Sequence, residues 1–224
     1  MLKIGGLAEH SLVDYPGKIA SVIFTRGCDF RCPFCHNHEL TYSKGDCIEF
    51  SYVLERLEAN KKWIDALVIT GGEPLLNSDI IDFASFVKKK TDLLIKVDTN
   101  GNSPQMLDAV IKSKVFDFIA MDIKHDLISE KYNKAAGRIV DIDNIVKSIG
   151  LIAKSGIDYQ FRTTFVPTLH TKEDIIKILN LGGVKNNYSL QNFSNSKTLD
   201  PEFMDIPCLS SDEFDKMKNN LNIV

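Results

Sequence analysis

The chain has 224 residues, 44% of them apolar and 25% charged, with 13 glycines and 7 prolines. This composition can bury a core and excludes collagen-like, low-complexity and wholly disordered chains. The length predicts one domain over residues 1–224, with a core over about 18–195 and a C-terminal tail and helix over 196–224. With 27 basic and 30 acidic residues the net charge is -3, so no basic footprint for nucleic acid is present. No apolar run nears the roughly 18 residues of a membrane span, and the opening MLKIGGLAEHSLVDYPG lacks a basic region followed by an apolar stretch. The expectation is a cytoplasmic protein with neither nucleic acid nor membrane as a partner.

Apolar, β-branched runs alternate along the chain with stretches of helical period. A strand is predicted over 19–25 (IASVIFT), a helix over 51–60, a strand over 66–70 (ALVIT) and a helix over 79–90. Then follow a strand over 93–97, a helix over 104–113, a strand over 116–121, a helix over 142–155 and a strand over 159–165. A helix over 173–181, a short strand over 188–191 and a helix over 211–221, capped by Ser210 or Ser211, close the chain.

Strands apolar on both faces, joined by helices long enough to cross over, demand a parallel sheet with helices packed outside it. A complete eight-stranded barrel needs about 250 residues, so the expected fold is α/β, a partial (β/α)6 TIM-like barrel. A doubly wound sheet is the alternative. In both, chemistry belongs at the carboxyl ends of the strands. Cys28, Gly71-Gly72-Glu73-Pro74, Asp98-Thr99-Asn100-Gly101, Asp122 with Lys124, and Pro167 follow successive strands there.

Five cysteines are an odd number, and Cys28, Cys32 and Cys35 crowd into eight positions. That pattern argues against a disulfide framework and for a metal site. Thiolates spaced C-x3-C-x2-C on one loop can hold an iron–sulfur cube and leave one iron without a protein sulfur. A structural zinc asks for a fourth protein ligand, which Cys47, His36 or His38 could supply. Cys47 and Cys208 otherwise read as small buried hydrophobes or inert thiols. His10, His125 and His170 read as isolated, with no function.

Cys28, Cys32 and Cys35 resemble the cluster motif of the radical S-adenosylmethionine (SAM) superfamily, and Gly71-Gly72-Glu73 resembles its second mark. The narrower resemblance is to the glycyl-radical-enzyme activating enzymes. It rests on Ser11-Leu12-Val13-Asp14-Tyr15-Pro16-Gly17, Cys35-His36-Asn37, Asp98-Thr99-Asn100-Gly101, Met121-Asp122-Ile123-Lys124 and Arg162. Leu190-Gln191-Asn192-Phe193 and Leu199-Asp200-Pro201 resemble the compact members whose partner is an anaerobic ribonucleoside-triphosphate reductase. One departure stands out: where pyruvate formate-lyase activases carry a SAM-contacting histidine after the sixth strand, this chain has Phe193 and Ser194.

The resemblance implies a radical SAM type of partial barrel. It also implies one 4Fe-4S cluster on Cys28, Cys32 and Cys35, with SAM as the cluster's fourth partner. Gly71, Gly72 and Glu73 would hold the methionine amino group. Phe34 would lie against adenine and His36 and Asn37 would shape the cluster's surroundings, although core packing explains Phe34 equally well. Asp98, Thr99, Asn100 and Asp122 would line the SAM site, with a monovalent cation near Asp98 and Asp122. Lys124 and Arg162 would bind the SAM carboxylate or ribose. The implied activity is to place a glycyl radical on a partner enzyme, using electrons from a flavodoxin or ferredoxin-type donor. The alternatives are a pyruvate formate-lyase activase, a small-molecule enzyme such as a 7-carboxy-7-deazaguanine synthase, and a non-enzymatic zinc or iron–sulfur module.

Overall fold

The computed structural model describes residues 2–223. Strands β1 (Ile4–Ser11), β2 (Ala20–Thr25), β3 (Ala66–Gly71), β4 (Leu94–Thr99), β5 (Phe118–Asp122), β6 (Asp158–Phe165) and β7 (Tyr188–Asn192) form one seven-stranded sheet in sequential order. From β2 to β7 every neighbouring pair is parallel. The crossovers carry helices α1 (Phe50–Asn60), α2 (Ile80–Thr91), α3 (Pro104–Ser113), α4 (Ser129–Ala136), α5 (Ile142–Ala153) and α6 (Lys172–Leu179), and α7 (Ser211–Asn220) follows β7. Sequential order contains no point at which the strand order reverses, which removes the doubly wound alternative. The six parallel strands are those expected, curled as a partial barrel.

Two elements have no counterpart in the sequence reading. β1 pairs antiparallel with the outer side of β2. Gly5 and Gly6 lower its strand propensity, and most of its residues are only half-buried. It is held from outside by Glu9, whose carboxylate accepts from Arg56 at 2.9 and 2.7 Å and from Asn60 at 2.9 Å. The helix α4 is short and polar and buries only Tyr132, Ala135 and Ala136. Ser210 is the residue that caps α7, in a capping box with Glu213.

Side chains alternate across each strand, and the two faces differ. The outer face, with Ile23, Leu67, Ile69, Ile95, Val97, Ile119 and Phe161, joins the large aliphatic core under the helices. The inner face carries Ala20, Val22, Ala66, Val68, Phe118 and Ala120, a smaller cluster closed from below by Tyr15. The Tyr15 and Phe118 rings meet with centroids 5.4 Å apart. The floor of the barrel is thus plugged by the loop between β1 and β2, and its open end lies at the carboxyl ends of the parallel strands.

Candidate functional site

All fifteen residues expected at the site line one cavity of about 530 Å³ at the open end. Cys28, Cys32, Phe34, Cys35, His36 and Asn37 come from the loop after β2, Gly71, Gly72 and Glu73 from the end of β3, and Asp98, Thr99 and Asn100 from the end of β4. Asp122 and Lys124 enter from β5 and its loop, and Arg162 from β6. Asp14, Gln191, Asn192 and Ser194, quoted above for the resemblance but given no role in the site, also line it, together with Phe30, Thr41, Thr70 and Thr164.

The cysteine loop is tied down on several sides. Gly27 and Cys28 donate their N–H groups to the carbonyls of Leu40 and Thr41 at 2.8 and 3.0 Å, and Arg31 donates to the carbonyl of Ala136 in the last turn of α4 at 2.8 Å. The tail reaches the loop as well, since the Asp200 N–H donates to the Pro33 carbonyl at 2.9 Å. Burial pushes the Cys28 thiol up to about 12 and the Cys32 thiol up to about 11, and it raises Cys35 too, against the pull of Lys124 on Cys32 and Cys35. Three desolvated thiols of this kind are poor free nucleophiles; a bound metal ionises them.

The glycine pair is required by packing. Gly71 has φ of +116°, and a Cβ there would collide with the Thr25 backbone. A Cβ on Gly72 would collide with the Gly27 carbonyl oxygen. That same oxygen accepts the Glu73 N–H at 2.7 Å, so this turn lies directly against the cysteine loop.

Glu73 serves as a strut. Its buried carboxylate accepts from the Leu75 N–H at 3.0 Å, the Thr99 hydroxyl at 2.8 Å and the Asn100 N–H at 2.7 Å. Burial raises it to about 8, with those donors opposing and Asp29 assisting. Asp29, which the sequence reading passed over, accepts from the Asn100 and Asn102 side chains at 2.7 Å each. The cysteine loop, the β3 turn and the β4 loop are therefore one hydrogen-bonded unit.

Beneath this unit the inner face carries a chain of ions. Lys96 Nζ donates to Asp98 Oδ1 at 2.6 Å, and Arg162 Nη1 reaches Asp98 Oδ2 at 3.2 Å. Arg162 Nε donates to Asp122 Oδ1 at 2.8 Å, and Lys124 Nζ to Asp122 Oδ2 at 3.0 Å. Burial opposes the charge on Asp122, but Arg162 and Lys124 overcome it and hold the carboxyl below the usual range. Lys124 and Arg162 are raised by their carboxylate partners against the same burial. Lys96 was missed because one basic residue in IKVDT reads as an interruption of an apolar strand; its position two before Asp98, on the same face, was the available signal.

After β7 the departure noted in the sequence resolves into two directions. Phe193 turns into the core, whereas Ser194 lines the cavity and its carbonyl faces His36 Nε2 at 2.7 Å. His125 and His170 are not isolated: both are buried and stack with centroids 4.8 Å apart. His170 accepts the Val166 N–H at 3.0 Å and donates to the Lys124 carbonyl at 2.8 Å, and burial lowers its pKa to about 4. Asp126 and Asp174 beside them are paired with Lys177 at 3.2 Å and Lys131 at 2.6 Å. This group supports the backbone of Lys124 from outside the cavity. Cys47 and Cys208 are exposed, not buried.

The chain belongs to the radical SAM superfamily, whose model matches residues 22–182. Over 215 residues it is 34% identical to the provisionally named glycyl-radical enzyme activating enzyme MJ1227 of Methanocaldococcus jannaschii, covering 94% of this chain and 88% of that one. Within the superfamily it is thus one of the glycyl-radical-enzyme activating enzymes. It is also similar to the pyruvate formate-lyase-activating enzyme of Clostridium pasteurianum, at 29% identity over 81% of this chain and 76% of the other. Among solved structures, Streptococcus suis SuiB bound to its precursor peptide SuiA matches with a TM-score of 0.68 at 18% identity, covering 90% of this chain and 44% of SuiB. That likeness concerns the fold.

The family's cofactors are a 4Fe-4S cluster and SAM, and the site fits both. Among the described residues, the trio of His, Cys, Asp or Glu donor atoms lying within 4.8 Å of one another is His125, Asp126 and Asp174, not the three cysteines. At least one pair of the cysteine sulfurs is therefore more than 4.8 Å apart, against the roughly 3.8 Å that bonds of about 2.3 Å impose around one zinc. The cavity lies in the range of about 300–1,000 Å³ typical of small-molecule sites. For a monovalent cation the residues do not fit, because all four carboxylate oxygens of Asp98 and Asp122 already face side-chain cations.

Proposed function

We propose that residues 1–224 act as one radical SAM domain that places a glycyl radical on a partner enzyme, with Cys28, Cys32 and Cys35 as the cluster ligands. The observation that carries this reading is that the three cysteines, the Gly71-Gly72 turn and the charged ends of β4, β5 and β6 all line one cavity. Held by Cys28, Cys32 and Cys35, a reduced cluster would supply the electron for reductive cleavage of SAM, and the two cofactors together would supply the radical chemistry that removes a Cα hydrogen from a glycine of the partner.

The chain's own residues bind and orient. The carbonyls of the Gly71-Gly72 turn offer acceptors for an amino group, while Lys124 and Arg162 give the cavity wall its positive charge for a carboxylate or ribose. Phe34, mostly buried but lining the cavity, offers a ring face to adenine. His36 and Asn37 close the loop beside the cluster. The partner we assign is an anaerobic ribonucleoside-triphosphate reductase, on the late motifs around Gln191 and Asp200. A pyruvate formate-lyase is the second reading, favoured by the relative from Clostridium pasteurianum. A flavodoxin or ferredoxin in the cytoplasm would supply the electron, since such clusters work toward the low end of a range reaching about -700 mV.

The test is an electron paramagnetic resonance spectrum of reduced, anaerobically reconstituted protein mixed with SAM and each candidate partner. A glycine-centred doublet, absent with Cys32→Ala, is expected with one of them. A small-molecule product formed without any partner protein would overturn the reading.

A further inference from the structure

We propose that Lys96 is a tethered cation that fills the place where a monovalent metal ion was expected, so that this enzyme binds SAM without one. This rests on the SAM-binding reading of the cavity, but its physical basis is the ion chain of the inner face.

Lys96 is 2% exposed and sits on the inner face of β4, level with Val68 on β3 and Phe118 on β5. A lysine is retained in such surroundings when its ammonium is paired. Here the pairing is specific: Nζ donates to Asp98 Oδ1 at 2.6 Å and to the Asp14 carbonyl at 2.7 Å. That carbonyl belongs to the loop that plugs the barrel floor, so two oxygens from distant parts of the chain converge on one positive charge. A hard metal cation needs several oxygen ligands, and each of the four carboxylate oxygens of Asp98 and Asp122 is already held by Lys96, Arg162 or Lys124.

The charge sum gives the same answer. Within the ion chain, Lys96, Arg162 and Lys124 stand against Asp98 and Asp122, a surplus of one positive charge. One carboxylate of SAM neutralises that surplus. An added metal ion would double it.

The first experiment needs no cofactor. Thermal midpoints of the cluster-free protein are compared in choline chloride and in potassium or sodium chloride at equal ionic strength. The wild type is expected to melt alike in all three. Lys96→Ala is expected to melt lower in choline and to regain about 2–4 °C selectively with potassium or sodium, because an ion that binds only the folded state stabilises it. The double variant Lys96→Ala with Asp98→Asn, which removes both charges, should show no selective gain.

In the second experiment, SAM binding to reconstituted wild type should change by less than about twofold among the salts. Binding to Lys96→Ala should weaken by about tenfold in choline and recover with potassium or sodium. A wild type that gains stability or SAM affinity selectively from either metal ion overturns the proposal, and this arm stands even where a variant does not fold. A folded Lys96→Ala with no selective response to either ion also overturns it. Failure of the wild type to bind SAM in any salt would instead refute the SAM reading, while the melts still judge Lys96.

Discussion

The two faces of the sheet are built from the same strands and solve opposite problems. On the outer face Ile69, Ile95, Val97 and Ile119 are fully buried against helices, and the gain comes from apolar area removed from water. On the inner face the strands begin with Ala20, Ala66 and Val68 and end with Asp98, Asp122 and Arg162, so burial of charge replaces burial of hydrocarbon toward the rim. The outer face is non-directional and tolerates volume-conserving exchange. In the inner face each partner answers for another's charge, and one deletion leaves an unpaired ion.

Arg162→Leu sharpens this contrast most. It takes from Asp98 and Asp122 the cation they share and leaves each with a single lysine partner, so denaturant unfolding of the cluster-free protein should show a loss of about 3–5 kcal/mol for the two charged hydrogen bonds, with SAM affinity lost as well. Ile69→Ala on the outer face should cost about 2–5 kcal/mol yet leave SAM affinity in folded protein within about threefold of the wild type. An Ile69 variant that folds but fails to bind SAM would break the division between the faces.

A smaller effect separates by pH a group outside the cavity, His170, from one that lines it, Glu73. His170 has a folded pKa near 4, below its ordinary 6.5, so its contribution to stability is present above pH 6.5 and is lost as pH falls toward 4. The shift is worth up to about 3 kcal/mol. Glu73, raised from 4.5 to about 8, acts in the opposite sense: its contribution is present below pH 4.5 and lost as pH rises through 8. The difference between wild type and His170→Gln, followed by unfolding from pH 7 to pH 4, isolates the histidine, and the variant should lose less on acidification. At the bottom of the scale, Lys112→Ala removes an exposed pair with Asp108. It should change stability by no more than about 0.5 kcal/mol, measurable only by careful denaturant titration.

Much of the site was legible because it is local. Cys28, Cys32 and Cys35 share one loop, and the carboxyl-end motifs each follow a strand whose apolar run is plain in the sequence. The residues that escaped notice act through distant partners. Asp29 finds Asn100 and Asn102 across about seventy positions, Lys96 finds the Asp14 carbonyl across 82, and His170 finds the Lys124 carbonyl across 46. The helix α4 has no broad apolar stripe to announce it, and its last turn accepts the Arg31 N–H of the cysteine loop.

By itself the sequence determined the alternation of strands and helices, the parallel class of the sheet and the rim on which the unusual residues fall, because periodicity and turn chemistry are properties of neighbouring residues. Tertiary structure alone decided that Asp98 and Asp122 meet Lys96, Arg162 and Lys124, that Glu73 braces three loops, and that His125 stacks on His170. Those pairings depend on which strands lie side by side and which face each residue takes, and curling the sheet into a barrel brings them together.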